Sequence, residues 1–205
     1  MDSLINKIIN LLKPLYIYKV GSSLVCNNPN DIDLVLIYDN KEDMLDASNK
    51  HHQLISRDEE TINGIKYNLL FNNKEYIRNT AIYYSYEFGP YLVQLYGDDD
   101  VMKDFNMLTN LELKKDVCMH INNELIAKVQ RNYPFGSYIT KPYRLLLTCY
   151  ILDNNSFELT EEQLLTINQV HDNKSMSDEL WDYCKHVIYN ILKNEFNKNE
   201  GWLIL

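Results

Sequence analysis

Two aspartates that flank one apolar residue, Asp31-Ile32-Asp33, open the run Leu34-Val35-Leu36-Ile37. Upstream, the apolar stretch Tyr16 to Val20 ends in Gly21-Ser22-Ser23. Successive strand residues point to opposite faces, so positions 31 and 33 share a face with their carboxylates roughly 7 Å apart. Paired oxygen donors of that kind suit a hard divalent cation. A Gly-Ser turn can bring bare backbone N–H groups and a hydroxyl against a phosphate. A cation site beside a phosphate site points to nucleotide chemistry.

These residues need a sheet to hold them. Leu4, Ile5, Ile8, Ile9 and Leu12 fall at helical spacing, and Pro14 marks the stop. Strands are predicted over 16–20 and 32–37, the second apolar enough to be a central strand covered on both faces. Residues 41–50 read as a polar, helical connection. Thr61-Ile62-Asn63-Gly64-Ile65 carries a hairpin signal, leading into a strand over 65–71. A helix is expected over 72–88, broken by Gly89-Pro90, and then a strand over 91–96.

Gly97-Asp98-Asp99-Asp100 interrupts this order, and the pattern beyond it turns helical. Leu113, Val117, Ile121 and Leu125 recur every four residues. Leu145 to Leu152 follows Pro142, Thr160-Glu161-Glu162-Gln163 reads as a capping box, and Leu180, Cys184, Val187, Ile188, Ile191 and Leu192 make a last stripe. The expected fold class is α+β, with a mixed-sheet domain over 1–105 and a helical domain over 106–205.

The 205 residues are 45% hydrophobic and 24% charged, a globular rather than a disordered composition. A formal net charge of −9 disfavours broad binding to nucleic-acid backbones. The four cysteines, at 26, 118, 149 and 184, have neither zinc-knuckle nor redox spacing. Buried thiols in a reducing cytoplasm are expected, with Cys118 and Cys184 on apolar helical faces. The N-terminus lacks a signal-peptide series and no apolar run is long enough to span a membrane. The five histidines lack ligand spacing, and no Walker loop, nucleophile elbow or Rossmann fingerprint occurs.

Gly21-Ser22, a loop, and Asp31-x-Asp33 on an apolar strand together resemble the signature of the nucleotidyltransferase superfamily, the DNA polymerase beta-like fold. That superfamily includes minimal nucleotidyltransferases, antibiotic adenylyltransferases and several toxins. The resemblance spans roughly residues 1–100, its motif 16–37, and the layout of a helical second domain is similar to the antibiotic-type enzymes. It implies a nucleotidyltransferase-like first domain that moves a nucleoside monophosphate from a nucleoside triphosphate to a hydroxyl acceptor. Mg²⁺ or Mn²⁺ would sit on Asp31 and Asp33, and Gly21, Ser22 and Ser23 would bind the outgoing phosphates. The superfamily usually adds a third carboxylate on a neighbouring strand, and the matching residue of 65–71 is Asn68, a neutral amide. Asp58, Glu59, Glu60 and Glu87 are acids of lower rank for that place. A catalytic set of Asp31, Asp33 and Asn68 is therefore expected to be slow. A non-catalytic nucleotide- or partner-binding module is the alternative, as is a toxin of a two-gene system.

Lys141 and Arg144 lie at i and i+3 where the helix after Pro142 begins, and could neutralise a triphosphate tail. The other reading is a solvated helix face. The acidic balance favours a small-molecule or protein hydroxyl over RNA as the acceptor, with no membrane involved.

Overall fold

The computed structural model describes residues 2–54, 61–62, 65–79, 92–103, 106–131 and 141–197. Among them it is α+β, with one mixed sheet and seven α-helices. Helix α1 (Asp2–Leu12) precedes strand β1 (Tyr16–Val20), a 3-10 turn (Ser22–Leu24) and β2 (Asp31–Tyr38). Next come α2 (Lys41–Leu54), β3 (Thr61–Ile62), β4 (Ile65–Asn73), α3 (Lys74–Asn79) and β5 (Leu92–Tyr96). Among the described residues four further helices follow: α4 (Leu111–Arg131), α5 (Pro142–Asn154), α6 (Glu161–Asn173) and α7 (Asp178–Phe196). The described residues up to 79, with 92–101, form one compact unit, and those from Met102 onward form another.

The sheet order is β3-β4-β2-β1-β5. β1 runs antiparallel to both β2 and β5, β3 antiparallel to β4, and β2 parallel to β4. A parallel pair needs a crossover, and α2 lies in that connection. Asn40 starts α2: its Oδ1 accepts from the Asp43 N–H at 2.9 Å while its Nδ2 donates to the Asp43 carboxylate at 2.8 Å. Asn63 and Gly64 lie outside the described residues; on either side of them Ile62 pairs antiparallel with Ile65.

One periodicity of α1 meets one periodicity of the sheet. Ile5, Ile8 and Leu12 of α1 pack with Ile17, Ile32, Leu34, Leu36, Tyr38, Ala47 and Tyr67. The even-numbered residues of β2 thus supply the core beneath α1 and α2, and Asp31 and Asp33 project from the other face. Leu34, Val35, Leu36 and Ile37 are all fully buried, as a central strand requires. On the same face as the acids, the Tyr18 hydroxyl donates to Asp100 Oδ1 at 3.1 Å and accepts from the Val101 N–H at 3.1 Å. That pair of bonds ties the Gly97–Asp100 segment back to the middle of the sheet.

The helix expected from residue 72 begins later. Asn72 and Asn73 continue β4, paired with Ile37 and Tyr38, and the Asn73 side chain caps α3 by accepting from the Tyr76 N–H at 2.9 Å. Two asparagines thus finish a strand and start a helix, where composition alone suggested a helix throughout. Residues 80–91, including Glu87 and Gly89-Pro90, lie outside the described residues.

In the second unit α4 packs on α7, and α5 packs on both α6 and α7. Leu113, Val117, Ile121, Leu145, Leu146, Ile167, Ile188 and Leu192 are among its buried side chains. Lys114 and Glu195 tie α4 to α7 through a partly buried ion pair at 2.8 Å. All four cysteines are buried thiols. Burial pushes the Cys118 thiol up to about 12, against the pull of the Lys114 ammonium. The capping box at α6 is complete: the Gln163 N–H donates to Thr160 Oγ1 at 3.2 Å, and the Thr160 N–H donates to Gln163 Oε1 at 3.0 Å. Thr160→Ala is expected to lower stability by about 1 kcal/mol, read as an earlier urea midpoint in circular dichroism.

Candidate functional site

Register brings the polar residues of two strands together. In the parallel ladder Asp31 lies beside Lys66 and Asp33 beside Asn68, while on the other side of β2 Val20 pairs with Asp33. The residue that follows Val20 is Gly21, so the turn leaves the sheet next to the second aspartate. Asn68 Nδ2 donates to Asp31 Oδ2 at 2.8 Å and to Asp33 Oδ1 at 3.1 Å. All three side chains are partly buried. The amide must present its nitrogen here, because its oxygen would add a third acceptor to two carboxylates. One NH₂ group thus lies where the two acids converge, partly offsetting their repulsion.

The turn is shaped around Asp33. Gly21 has φ +80°, and a Cβ at that position would stand 2.9 Å from Asp33 Oδ2. No other residue type brings the backbone this close to the carboxylate. Gly21→Ala is expected to cost about 1–3 kcal/mol in strain. It should also push Asp33 aside, weakening Mn²⁺ binding. Urea unfolding and a Mn²⁺ titration read the two effects separately.

Beyond Gly21 the turn's own hydrogen bonds are donated by Leu24 to Gly21 O at 3.2 Å, Val25 to Ser22 O at 3.1 Å and Cys26 to Ser22 O at 2.7 Å. They begin at Leu24, leaving the amides of Ser22 and Ser23 ahead of them, as at any helix start. Ser22 is buried, and its hydroxyl forms no hydrogen bond among the described residues. The Ser23 hydroxyl donates to Val20 O at 3.4 Å and is taken up in the turn itself. Lys19, which the sequence reading did not single out, donates its ammonium to Ser23 O at 2.9 Å. Its signal was a lone cation in the apolar strand directly ahead of Gly-Ser.

Asp31, Asp33, Asn68, Gly21 and Ser22 are therefore neighbours, with Ser23 one residue further along the turn. Lys141 and Arg144 belong to the second unit and do not form the expected pair on one helix face. Lys141 is the N-cap of α5, with φ −126° and ψ 71°, and its carbonyl accepts from the Arg144 N–H at 2.9 Å. It is exposed, whereas Arg144 is only 4% exposed. Asp58, Glu59 and Glu60 lie outside the described residues.

The donor set is hard oxygen, with two formal negative charges that match one divalent cation. Among the described residues no group of three or more His, Cys, Asp or Glu side chains is placed to hold a metal ion. The histidines have other neighbours: His120 pairs with Glu124 at 3.0 Å, His171 with Asp172 at 3.2 Å, and His186 with Asp182 O at 2.8 Å. Among the described residues no helix is long and apolar enough to cross a membrane. Compared with protein-family models, curated proteins and solved structures, the chain matches none of them.

Proposed function

We propose that this chain is a metal-dependent nucleotidyltransferase of the DNA polymerase beta-like kind, with its nucleotide site on the acidic face of the sheet. The observation that carries the reading is the convergence of Asp31, Asp33 and Asn68 beside the Gly21–Ser22 turn. Asp31 and Asp33 hold Mg²⁺ or Mn²⁺, and Asn68 turns its amide so that Oδ1 joins them as a neutral ligand. The ion, when bound, polarises phosphoryl oxygens and neutralises charge that develops on them. The Ser22 and Ser23 amides and the Ser22 hydroxyl bind the phosphate oxygens that become pyrophosphate.

The acceptor is a hydroxyl of a small molecule or a protein rather than of RNA, since the net charge is −9. The buried thiols suit a cytoplasmic setting. A second reading rests on Asn68 itself: an amide cannot accept the proton of the attacking hydroxyl, so the same site can serve to bind a nucleotide without transferring it. Calorimetry of the wild-type chain with ATP, GTP, CTP and UTP, each with Mg²⁺ and with a chelator, tests the shared part. Binding that needs the cation is expected for at least one nucleotide, and no binding of any of them would end both readings. Transfer of radiolabel from an α-labelled triphosphate to an acceptor separates the first reading from the second.

A further inference from the structure

We propose that Lys19 is a positioning residue for the phosphate turn: its ammonium holds the Ser23 carbonyl and so keeps the Ser22 and Ser23 amides turned toward a triphosphate. The inference rests on the reading of the site given above. Lys19 is the last residue but one of β1, paired with Leu34 and Val93, and partly buried among apolar strand positions. An ammonium in such a place is partly desolvated, and that burial lowers its affinity for the proton. It makes one hydrogen bond among the described residues, to Ser23 O at 2.9 Å, across a gap of four residues. The bond therefore spans Gly21, the residue with the greatest backbone freedom in the segment, and closes a ring over it.

A peptide plane has two ends. The Ser23 carbonyl shares its plane with the Leu24 N–H, which donates back to Gly21 O at 3.2 Å, and the turn closed in this way constrains the Ser22 and Ser23 planes that lie inside it. The Ser23 hydroxyl adds a second, longer bond to Val20 O at 3.4 Å, within the same loop. The turn is therefore held from β1 by a charged donor and a neutral one. Neither uses the Ser22 hydroxyl or the amides that precede Leu24. A turn restrained in this way loses less freedom when a phosphate arrives, which is the ordinary gain of preorganisation.

The test compares wild type, Lys19→Met and Lys19→Arg. Methionine keeps most of the apolar stem without the charge, and arginine keeps a cationic donor. Magnesium tripolyphosphate is the probe, because it carries the phosphates without selecting a base, and Mn²⁺ alone reports on Asp31 and Asp33. Lys19→Met is expected to bind tripolyphosphate roughly ten- to a hundredfold more weakly, the span for one charge-assisted hydrogen bond. Its Mn²⁺ affinity should stay within about twofold, exchange of the Leu24–Cys26 amides should quicken, and Lys19→Arg should restore binding. Unchanged tripolyphosphate affinity in Lys19→Met, or equal losses for Mn²⁺ and tripolyphosphate, overturns the proposal. If the wild type binds neither Mn²⁺ nor tripolyphosphate, the nucleotide site falls on its own. Amide exchange then still decides whether Lys19 holds the turn, with unchanged rates in Lys19→Met counting against it.

Discussion

Asn68→Asp is expected to raise the rate of nucleotide transfer by about 10²–10⁴-fold, the usual worth of a positioned general base. The substitution exchanges the NH₂ group that lies 2.8 Å from Asp31 and 3.1 Å from Asp33 for an anionic oxygen. It adds an acceptor for the proton of the attacking hydroxyl and one more charge to hold cations. It also removes the only described donor shared by both carboxylates, so three acids then face one another. Like charges this close cannot all stay ionised without a counter-ion. The variant should therefore depend on Mg²⁺ for its stability more strongly than the wild type does. A chelator is expected to lower the melting temperature of Asn68→Asp by several degrees, and that of the wild type by less. Equal rates for the two proteins at saturating Mg²⁺, together with a melting temperature indifferent to chelator, would sink this account of Asn68.

Asp31→Ala and Asp33→Ala are expected to abolish cation-dependent nucleotide binding, by more than about 100-fold each. Removing even an outer partner of a metal ligand costs up to about that much, and these two would be the charged ligands themselves. Either change also strands one hydrogen bond of the Asn68 amide. Asp33→Ala carries a further effect, because the Gly21 backbone packs against that carboxylate. It should loosen the turn as well as empty the site of charge. Mn²⁺ titration by electron paramagnetic resonance, with far-ultraviolet circular dichroism to check the fold, gives a direct reading. Wild-type Mn²⁺ and nucleotide affinities in both folded variants would place the site elsewhere.

Much of this geometry was legible in the residues. The nearly continuous apolar run over 32–37 gave the central strand, and strand alternation gave the face that Asp31 and Asp33 share, because a buried strand tolerates carboxylates only at its end. The place of Asn68 followed from the apolar flanks of β4. The limits have equally local causes. Asn72 and Asn73 look like the start of a helix, yet the parallel ladder with Ile37 and Tyr38 holds them extended, and tertiary pairing outweighs propensity there. Lys141 and Arg144 have helical spacing in sequence, but Lys141 is the exposed N-cap while Arg144 is buried, and spacing alone does not tell a buried cation from an exposed one. Lys19 was passed over because its role lies in a bond to backbone, which leaves no motif.

The parallel pairing of β2 with β4 also governs which changes of length this chain can absorb. Asp31 and Asn68 are 37 positions apart yet meet at 2.8 Å, and only because Asp33 and Asn68 stand opposite each other in the ladder. One residue gained inside β4 ahead of position 68 would bring Tyr67 or the added residue into that slot, turning a different side chain onto the carboxylates. Residues gained in the connection that joins the two strands leave the ladder as it is, at a closure cost of only about 0.6 kcal/mol for each doubling of loop length. Insertions tolerated between the strands, and forbidden for the first four residues of β4, are the pattern that such a site leaves on its own sequence.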